Sequence, residues 1–105
     1  SCIMDSISIV QSKTGKLVEG TPEWRVSIRN KCRCVQYQVQ IYCLGFQTNK
    51  PVDPSILSIY SGVCHLNPTK VISPSQTIQF LYAWNVQFLY YPYCETELRA
   101  RHHSA

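Results

Sequence analysis

Few residues of this chain have the types and spacing that catalysis requires. The histidines are His65, His102 and His103. Cys64 directly precedes His65, and a cysteine beside a histidine can act as a nucleophile when its thiol is free to ionise. In a chain with six cysteines, oxidation of Cys64 is favoured instead. We therefore expect no thiol catalysis at this pair.

A pair of carboxylates could serve glycoside hydrolysis, with one group acting as the acid. The acidic residues available for such a pair are Asp5, Glu19, Glu23, Asp53, Glu95 and Glu97. Surface carboxylates are usually only solvated. The sequence also has no glycine-rich phosphate loop, nucleophile elbow or H-E-x-x-H motif. It therefore predicts a protein that is not an enzyme and needs no cofactor or metal.

The strongest chemical signal is the set of cysteines, at Cys2, Cys32, Cys34, Cys43, Cys64 and Cys94. Structural zinc sites usually combine two C-x-x-C-like clusters, whereas these cysteines are spread over the whole chain. In a chain of 105 residues this pattern indicates a secreted, extracellular domain stapled by three disulfides. The chain begins without an initiator methionine or a signal-peptide core, as a mature secreted form would.

Six cysteines can pair in many ways, and the sequence alone does not select one. Only Arg33 separates Cys32 from Cys34. In an extended stretch their side chains point to the same face, but a bond between them would close a strained ring. We therefore expect these two cysteines to reach different partners. Cys43 falls on the inward face of an alternating stretch, which predicts a disulfide between two sheets.

The elements that must position these residues are predicted to be β-strands, because the dominant apolar period is two. The alternating stretches are residues 6–9, 24–29, 36–43 and 78–84. The last stretch is apolar on both faces, which predicts a central strand. Short strands without a long amphipathic helix predict an all-β fold, a small antiparallel β-sandwich or flattened barrel of about six or seven strands.

The connecting segments are less regular. A turn is expected at residues 14–16, and residues 45–54 predict an irregular loop, the central loop, rich in polar and turn-forming residues. Residues 55–60 fit a helical turn or a short strand. The aromatic run 86–93 fits a core, an edge strand or a contact surface. We expect one domain over residues 1–94 and a polar tail over 95–105.

The formal net charge of +4 is unevenly distributed. A basic cluster comprises Arg25, Arg29, Lys31 and Arg33. Such a cluster fits an acidic receptor surface, a polyanionic glycan or simply a solvated strand face. The sequence has no nucleic-acid-binding motif and no apolar run long enough to span a bilayer. Neither nucleic acid nor membrane insertion is therefore expected.

Aromatic residues and arginines are the types enriched at protein interfaces. Trp24 and Trp84 fall on alternating strand faces and are expected in the core. Phe46 lies in the central loop, where it could bind a partner or anchor the loop. Surface recognition is therefore the favoured function class.

Several short motifs follow one another in a specific order. They are Gly20-Thr21-Pro22-Glu23-Trp24, Cys32-Arg33-Cys34, Cys43-Leu44-Gly45-Phe46-Gln47, Val52-Asp53-Pro54, Cys64 and Tyr82-Ala83-Trp84. Their order over residues 2–94 resembles that of the tapetum determinant family of plants, in its C-x-C branch. The chain departs from the family pattern after Cys64, where residues 65–68 replace an apolar residue and an Asn-Gly turn.

The resemblance implies a secreted, cysteine-rich ligand of the apoplast that controls cell fate in anther and reproductive development. The implied partner is the leucine-rich-repeat ectodomain of a receptor kinase of the excess microsporocytes type, with a somatic embryogenesis receptor kinase as co-receptor. We expect the receptor contacts to come from the central loop and from the basic cluster. The expected contact residues are Phe46, Gln47, Lys50 and Asp53, with Arg25, Arg29 and Arg33 supplying positive charge.

Two other functions stay open at this point. A cell-wall carbohydrate-binding β-sandwich would use Trp24 or Tyr91 to stack on sugar rings. A secreted hydrolase inhibitor or defence protein would use the same rigid framework against an enzyme. A glycosyltransferase activity is not expected, because the chain is short and has no acidic D-x-D motif.

Overall fold

The computed structural model describes residues 6–93, which form two antiparallel sheets without an α-helix. The strands are β1 (Ile7–Val18), β2 (Thr21–Asn30), β3 (Gln40–Tyr42), β4 (Leu57–Tyr60), β5 (Val63–Leu66), β6 (Thr77–Ala83) and β7 (Tyr91–Tyr93). The first sheet has the order β1-β2-β6 and the second has the order β4-β5-β3-β7. The predicted all-β, antiparallel fold is confirmed. Among the described residues no helix is long and apolar enough to cross a membrane.

The alternating sequence of β2 accounts for its place at the centre of the first sheet. Val26 and Ile28 are fully buried, whereas Arg25 and Arg29 on the opposite face are exposed. β1 pairs with one edge of β2 and β6 with the other. The strand predicted from this alternation is confirmed.

The turn predicted at residues 14–16 is wrong. β1 continues through these residues, and its register against β2 shifts between Lys13 and Leu17. Gly15 has a φ of 90°, a left-handed conformation that glycine adopts without steric cost. The glycine therefore permits a bulge within the strand. The chain reverses only after Val18, at the turn formed by residues 19–20.

β5 lies inside the second sheet, between β4 and β3, although the sequence pattern does not predict it. Its residues Cys64 and Leu66 are fully buried. Ser61 and Gly62 join β4 to β5 as a two-residue loop, with φ values of 53° and 80°. Positive φ at both positions is the mark of a type I′ hairpin turn. A Ser-Gly pair between apolar stretches was the available signal.

Residues 36–43 form a shorter strand than predicted, because only Gln40–Tyr42 pairs as β3. Tyr37 is exposed and Gln36 is buried, the reverse of the predicted pattern. Gln38 has a φ of 54°, which breaks the extended conformation and with it the alternation of faces. Gln36 instead forms an isolated bridge with Ile72.

The core lies between the two sheets. The first sheet contributes Val26, Ile28, Ile78, Phe80 and Tyr82, and the second contributes Ile41, Leu57, Cys64 and Leu66. Trp24 and Trp84 are partly buried and pack against this core, as expected. Tyr90, from the aromatic run, is buried within it, while β7 forms an edge of the second sheet. That run therefore contributes both to the core and to an edge strand.

The central position predicted for β6 is wrong, since β6 is an edge strand of the first sheet. Its inward residues face the core. Ala83, on the other face, is also buried, and its backbone is bonded to Thr48 and Asn49 of the central loop. An edge strand partly covered by a loop can therefore have the apolar composition of a central one.

Cys43 and Cys64 form a disulfide with Cα atoms 5.9 Å apart. Both are buried on the inward face, as predicted for Cys43. The bond does not join two sheets, however. Cys64 lies in β5, and Cys43 directly follows β3, which pairs with β5. The disulfide therefore ties neighbouring strands of the second sheet.

Cys32 and Cys34 are bonded to each other, which contradicts the prediction of two separate partners. Their Cα atoms lie 5.2 Å apart, because the chain bends after β2 instead of extending. Asn30 holds this bend. Its Oδ1 accepts a hydrogen bond from the Cys32 N–H at 2.9 Å, and its Nδ2 donates to the Cys34 carbonyl at 3.0 Å. Cys2 and Cys94 lie outside the described residues.

Candidate functional site

The pair Cys64 and His65, whose residue types resemble a thiol nucleophile and its base, has no free thiol. Cys64 is bonded to Cys43 and fully buried, and its neighbour His65 is half-buried in β5. Nucleophilic catalysis requires a thiolate, which an oxidised cysteine does not supply. His102 and His103 lie outside the described residues.

The acidic residues that the structure describes do not form a pair of neighbouring carboxylates. Asp5, Glu95 and Glu97 lie outside the described residues, and Glu19 is exposed in the turn after β1. Within residues 6–93, no three His, Cys, Asp or Glu side chains lie close enough together to hold a metal ion. The remaining two, Glu23 and Asp53, fix the central loop.

Glu23 joins β2 to β1 and to the central loop. Its buried carboxylate forms an ion pair with Lys50 Nζ at 2.8 Å. The Thr14 hydroxyl donates to the other carboxylate oxygen, also at 2.8 Å. These hydrogen bonds, that from Lys50 first, lower the pKa of Glu23 below its ordinary value. The charged carboxylate therefore has both oxygens bonded and holds Lys50 against the first sheet.

Further hydrogen bonds give the central loop one conformation. Thr48 Oγ1 accepts the Ala83 N–H at 2.9 Å, and the Asn49 N–H donates to the Ala83 carbonyl at 2.8 Å. The exposed carboxylate of Asp53 accepts the Ser55 N–H at 2.9 Å, and the hydrogen bonds from Ser55 lower the pKa of Asp53. The predicted loop is thus irregular but fastened at both ends.

Phe46 anchors the start of the central loop. Its ring centroid lies 5.5 Å from that of Tyr82, 5.3 Å from that of Phe88 and 6.1 Å from that of Tyr90. Of the two roles that the sequence left open, the packed anchor is the one observed. The next residue, Gln47, is exposed. A receptor contact by either residue stays a prediction.

Tyr82 links three parts of the chain through its hydroxyl. The hydroxyl donates to Gln11 Oε1 of β1 at 2.6 Å and accepts the Phe88 N–H at 3.1 Å. Gln11 Nε2 also donates to the Phe88 carbonyl. Burial raises the pKa of Tyr82, so the hydroxyl stays protonated and available as a donor. This network holds the segment before β7 against the first sheet.

Trp24, the candidate for stacking on sugars, already has partners for its ring. It stacks on Tyr82 with the ring planes 14° apart and the centroids 6.3 Å apart. The Lys13 ammonium lies 5.4 Å from the ring centroid, within cation–π range. These contacts occupy ring surface that a sugar would need. The other candidate, Tyr91, belongs to β7.

The outer face of the first sheet carries two arginines that have no ion-pair partner among the described residues. Its side chains, placed by the strand register, are Ser8, Val10 and Ser12 of β1, Arg25, Ser27 and Arg29 of β2, and Thr77, Gln79 and Leu81 of β6. We call this surface the arginine face. The outward residue of β2 that precedes Arg25 is Glu23, which is buried under the central loop and already paired with Lys50. Neither the Arg25 nor the Arg29 guanidinium makes an ion pair or a hydrogen bond with another described residue.

The basic cluster therefore divides into two parts. Arg25 and Arg29 lie four residues apart on one face of β2, which separates them by about 13 Å along the strand. Lys31 and Arg33 follow the end of β2 and are exposed near the Cys32–Cys34 disulfide. The structure thus places Arg25 and Arg29 on one face of the first sheet and Arg33 beyond the end of β2.

The sequence analysis does not indicate the structural roles of two polar residues that organise this region. Glu23 is buried beside the central loop, and Asn30 is fully buried where β2 ends. Asn30 also donates to the Ile72 carbonyl at 3.0 Å. Buried polar groups are almost always hydrogen-bonded. A polar residue at an inward position of an amphipathic strand was the signal for Asn30, whereas Glu23 is at an outward position that the central loop covers.

A family model described as "Tapetum determinant 1, C-terminal" matches residues 3–96, nearly the whole chain. The chain belongs to the tapetum determinant family. The membership inferred from the motifs is confirmed. This is a family of signalling-type proteins that are not known as enzymes, and its cysteine-rich, disulfide-bonded domain is typical of secreted proteins.

Two relatives that this tapetum determinant domain resembles are plant proteins. It is 35% identical over 74 residues to an uncharacterized protein of Arabidopsis thaliana. The aligned segment covers 67% of the chain and 58% of that protein. It is 31% identical over 85 residues to TPD1 protein homolog 1B of Oryza sativa subsp. japonica. Here the aligned segment covers 79% of the chain and 50% of that protein. The chain thus spans about half the length of these curated relatives. No solved structure matches it.

Proposed function

We propose that this chain is the folded domain of a secreted plant signalling protein that binds the ectodomain of a leucine-rich-repeat receptor kinase. The receptor would be of the excess microsporocytes type, with a somatic embryogenesis receptor kinase as co-receptor. The signal would act in the apoplast and control cell fate in anther and reproductive development. Membership in the tapetum determinant family and the disulfide-bonded framework support this proposal.

The arginine face is the observation that carries the proposal. Arg25 and Arg29 have no ion-pair partner among the described residues, so no ion pair has to break before they meet an acidic surface. Both side chains project from β2, which is held by β1 and β6 on its two edges. A rigid surface loses little conformational entropy on binding. The extended concave surface of a repeat protein suits a compact basic domain.

The other expected contacts would surround this face. Arg33 is exposed beyond the end of β2, and Gln47 and Asp53 are exposed in the central loop. We propose these three as peripheral contacts. Lys50 and Phe46 would act mainly by holding the loop, because the Lys50 ammonium is bonded to Glu23 and the Phe46 ring is packed among aromatic side chains.

Calorimetry with the oxidised protein and the receptor ectodomain, with and without the co-receptor ectodomain, tests the proposal. We expect sub-micromolar binding that is lost on reduction of the disulfides. The substitution Arg29→Glu should weaken binding about tenfold, which corresponds to about 1.4 kcal/mol. Lys70→Glu is the matched control, because it makes the same charge change at an exposed residue in a turn of the second half of the chain.

The outcomes separate the two parts of the proposal. Equal affinities of the Arg29→Glu and Lys70→Glu variants would contradict the arginine face as the contact surface. Absence of binding by the wild-type protein to this ectodomain, with or without co-receptor, would contradict the receptor assignment itself.

A further inference from the structure

We propose that the free edge of β6 binds an extended peptide segment of a partner protein, which adds a fourth strand to the first sheet. Strand addition of this kind is a common mode of peptide recognition. Within the described residues β6 pairs only with β2, so its second edge has no strand beside it. This inference goes beyond the receptor proposal and does not depend on it.

The backbone of β6 has the orientation that strand addition requires. In an antiparallel pair, the N–H and C=O groups of alternate residues point to the same edge. Ala83 identifies the free edge, because its N–H and C=O are bonded to Thr48 and Asn49 of the central loop, not to β2. The register against β2 is unbroken, so Gln79 and Leu81 point the same way as Ala83.

As far as residues 6–93 show, the backbone groups of Gln79 and Leu81 at this edge are open to a partner. No hydrogen bond to them is formed by any other described residue, whether from backbone or side chain. The hydrogen bonds from the central loop to β6 involve only its last residue, Ala83. The edge therefore offers two N–H and two C=O groups in strand geometry to an incoming chain.

A depression of about 250 Å³ lies beside this edge, between the central loop and β6. Val52, Ile56 and Phe80 supply its apolar lining, while Lys50 and Asp53 contribute one charge of each sign. Its volume is below the roughly 300–1,000 Å³ of small-molecule sites. It is suited instead to an apolar side chain of an added strand. The bonds that fasten Thr48, Asn49 and Lys50 keep the depression preformed.

The charge of the arginine face favours particular side chains on the outward face of the added strand. Its outward side chains would lie next to Leu81, which stands directly opposite Arg25 on the arginine face. Glu23 on the same face is paired with Lys50, whereas Arg25 and Arg29 have no ion-pair partner among the described residues, so acidic outward side chains would be attracted. The partner segment is therefore extended, with apolar residues toward the depression alternating with acidic residues. A second copy of this chain fits poorly, because each copy would bring a net charge of +4 and its own arginine face.

Amide hydrogen exchange measured by NMR reports directly on this edge. In the free protein we expect fast exchange at Gln79 and Leu81 and slow exchange at Phe80 and Tyr82, whose N–H groups point toward β2. The probes are peptides selected from a random decapeptide library on the immobilised, oxidised protein. We expect the selected peptides to alternate apolar and acidic residues and, at saturation, to slow exchange at Gln79 and Leu81 at least tenfold.

Substitutions at Gln79 isolate the backbone contact. Gln79→Pro removes the N–H at the free edge, a position where edge strands tolerate proline. Gln79→Ala is the matched control, because it keeps that N–H and removes only the side chain. We expect the proline variant to lose at least tenfold in affinity for the selected peptides and the alanine variant to bind like the wild type. Thermal unfolding of both variants verifies that they fold.

Three results would overturn the proposal. The first is unchanged exchange at Gln79 and Leu81 in the presence of saturating peptide. The second is equal peptide affinity of the folded proline and alanine variants. The third is slow exchange of both amides in the free protein, because the edge would then already be covered by another segment of the chain or, if sedimentation shows a dimer, by a second copy. The exchange measurement on the wild-type protein decides the matter even if the proline variant does not fold.

Discussion

Removing the hydroxyl of Tyr90 should stabilise the protein, although Tyr90 lies in the core. The Tyr90 hydroxyl is buried and has no hydrogen-bond partner among the described residues. Burial, and then the neighbouring Tyr82, raise the pKa of Tyr90, so the group is a neutral hydroxyl. Tyr82 is close enough to affect this pKa, but the two hydroxyls do not form a hydrogen bond. The substitution Tyr90→Phe removes the unsatisfied group and keeps the ring contacts with Phe80 and Tyr82.

The size of the effect follows from the cost of burying an unpaired polar group. Such a group costs about 1–3 kcal/mol, and the small space that the hydroxyl leaves reduces the gain. We therefore expect Tyr90→Phe to raise the free energy of unfolding by about 1 kcal/mol. Tyr82→Phe is the matched control. It removes a hydroxyl that is bonded to both Gln11 and Phe88, and should lower the free energy of unfolding by about 1–3 kcal/mol.

Urea unfolding of the oxidised proteins, followed by tryptophan fluorescence, measures both changes. Thermal unfolding should agree, with a rise in Tm of about 4–8 °C for each 1 kcal/mol in a domain of this size. The opposite signs at two neighbouring tyrosines are the diagnostic result. If Tyr90→Phe destabilises the protein as Tyr82→Phe does, the Tyr90 hydroxyl has a hydrogen-bond partner and the reasoning is wrong.

Two further predictions concern charge and covalent structure. The folded-state pKa of Glu23 is lower than its ordinary value of 4.5. The charged carboxylate therefore stabilises the fold at pH values above 4.5, and this contribution is lost as the pH falls through the lower, folded-state pKa. Glu23→Gln should therefore destabilise the protein at neutral pH, with a difference that shrinks in acid; a difference in urea midpoint that does not change with pH would refute this. Replacing both Cys43 and Cys64 with alanine should cost about 3 kcal/mol, because their bond closes a long loop of the unfolded chain. The same change at Cys32 and Cys34 should cost about 2 kcal/mol less, because the sequence separations are 21 and 2, and equal losses in thermal unfolding would contradict the loop-length argument.

The two expected contact regions were predictable to different degrees. Arg25 and Arg29 alternate with Val26 and Ile28, so their exposure follows from the period of a strand. The roles of the central loop did not follow from any period. The contact of Lys50 with a buried carboxylate depends on residues far apart in sequence, which only the packing of the loop brings together.

The sequence by itself determined the class of fold, the inward and outward faces of β2 and the membership of the chain in its family. These are local properties, because the side-chain period of a strand and the order of short motifs can be read from neighbouring residues. Only the tertiary structure decided which strands lie side by side and which cysteines are bonded. It placed β6 at an edge, β5 between two strands and Cys32 against Cys34, because strand order depends on contacts between distant segments and the bend after β2 depends on the buried Asn30.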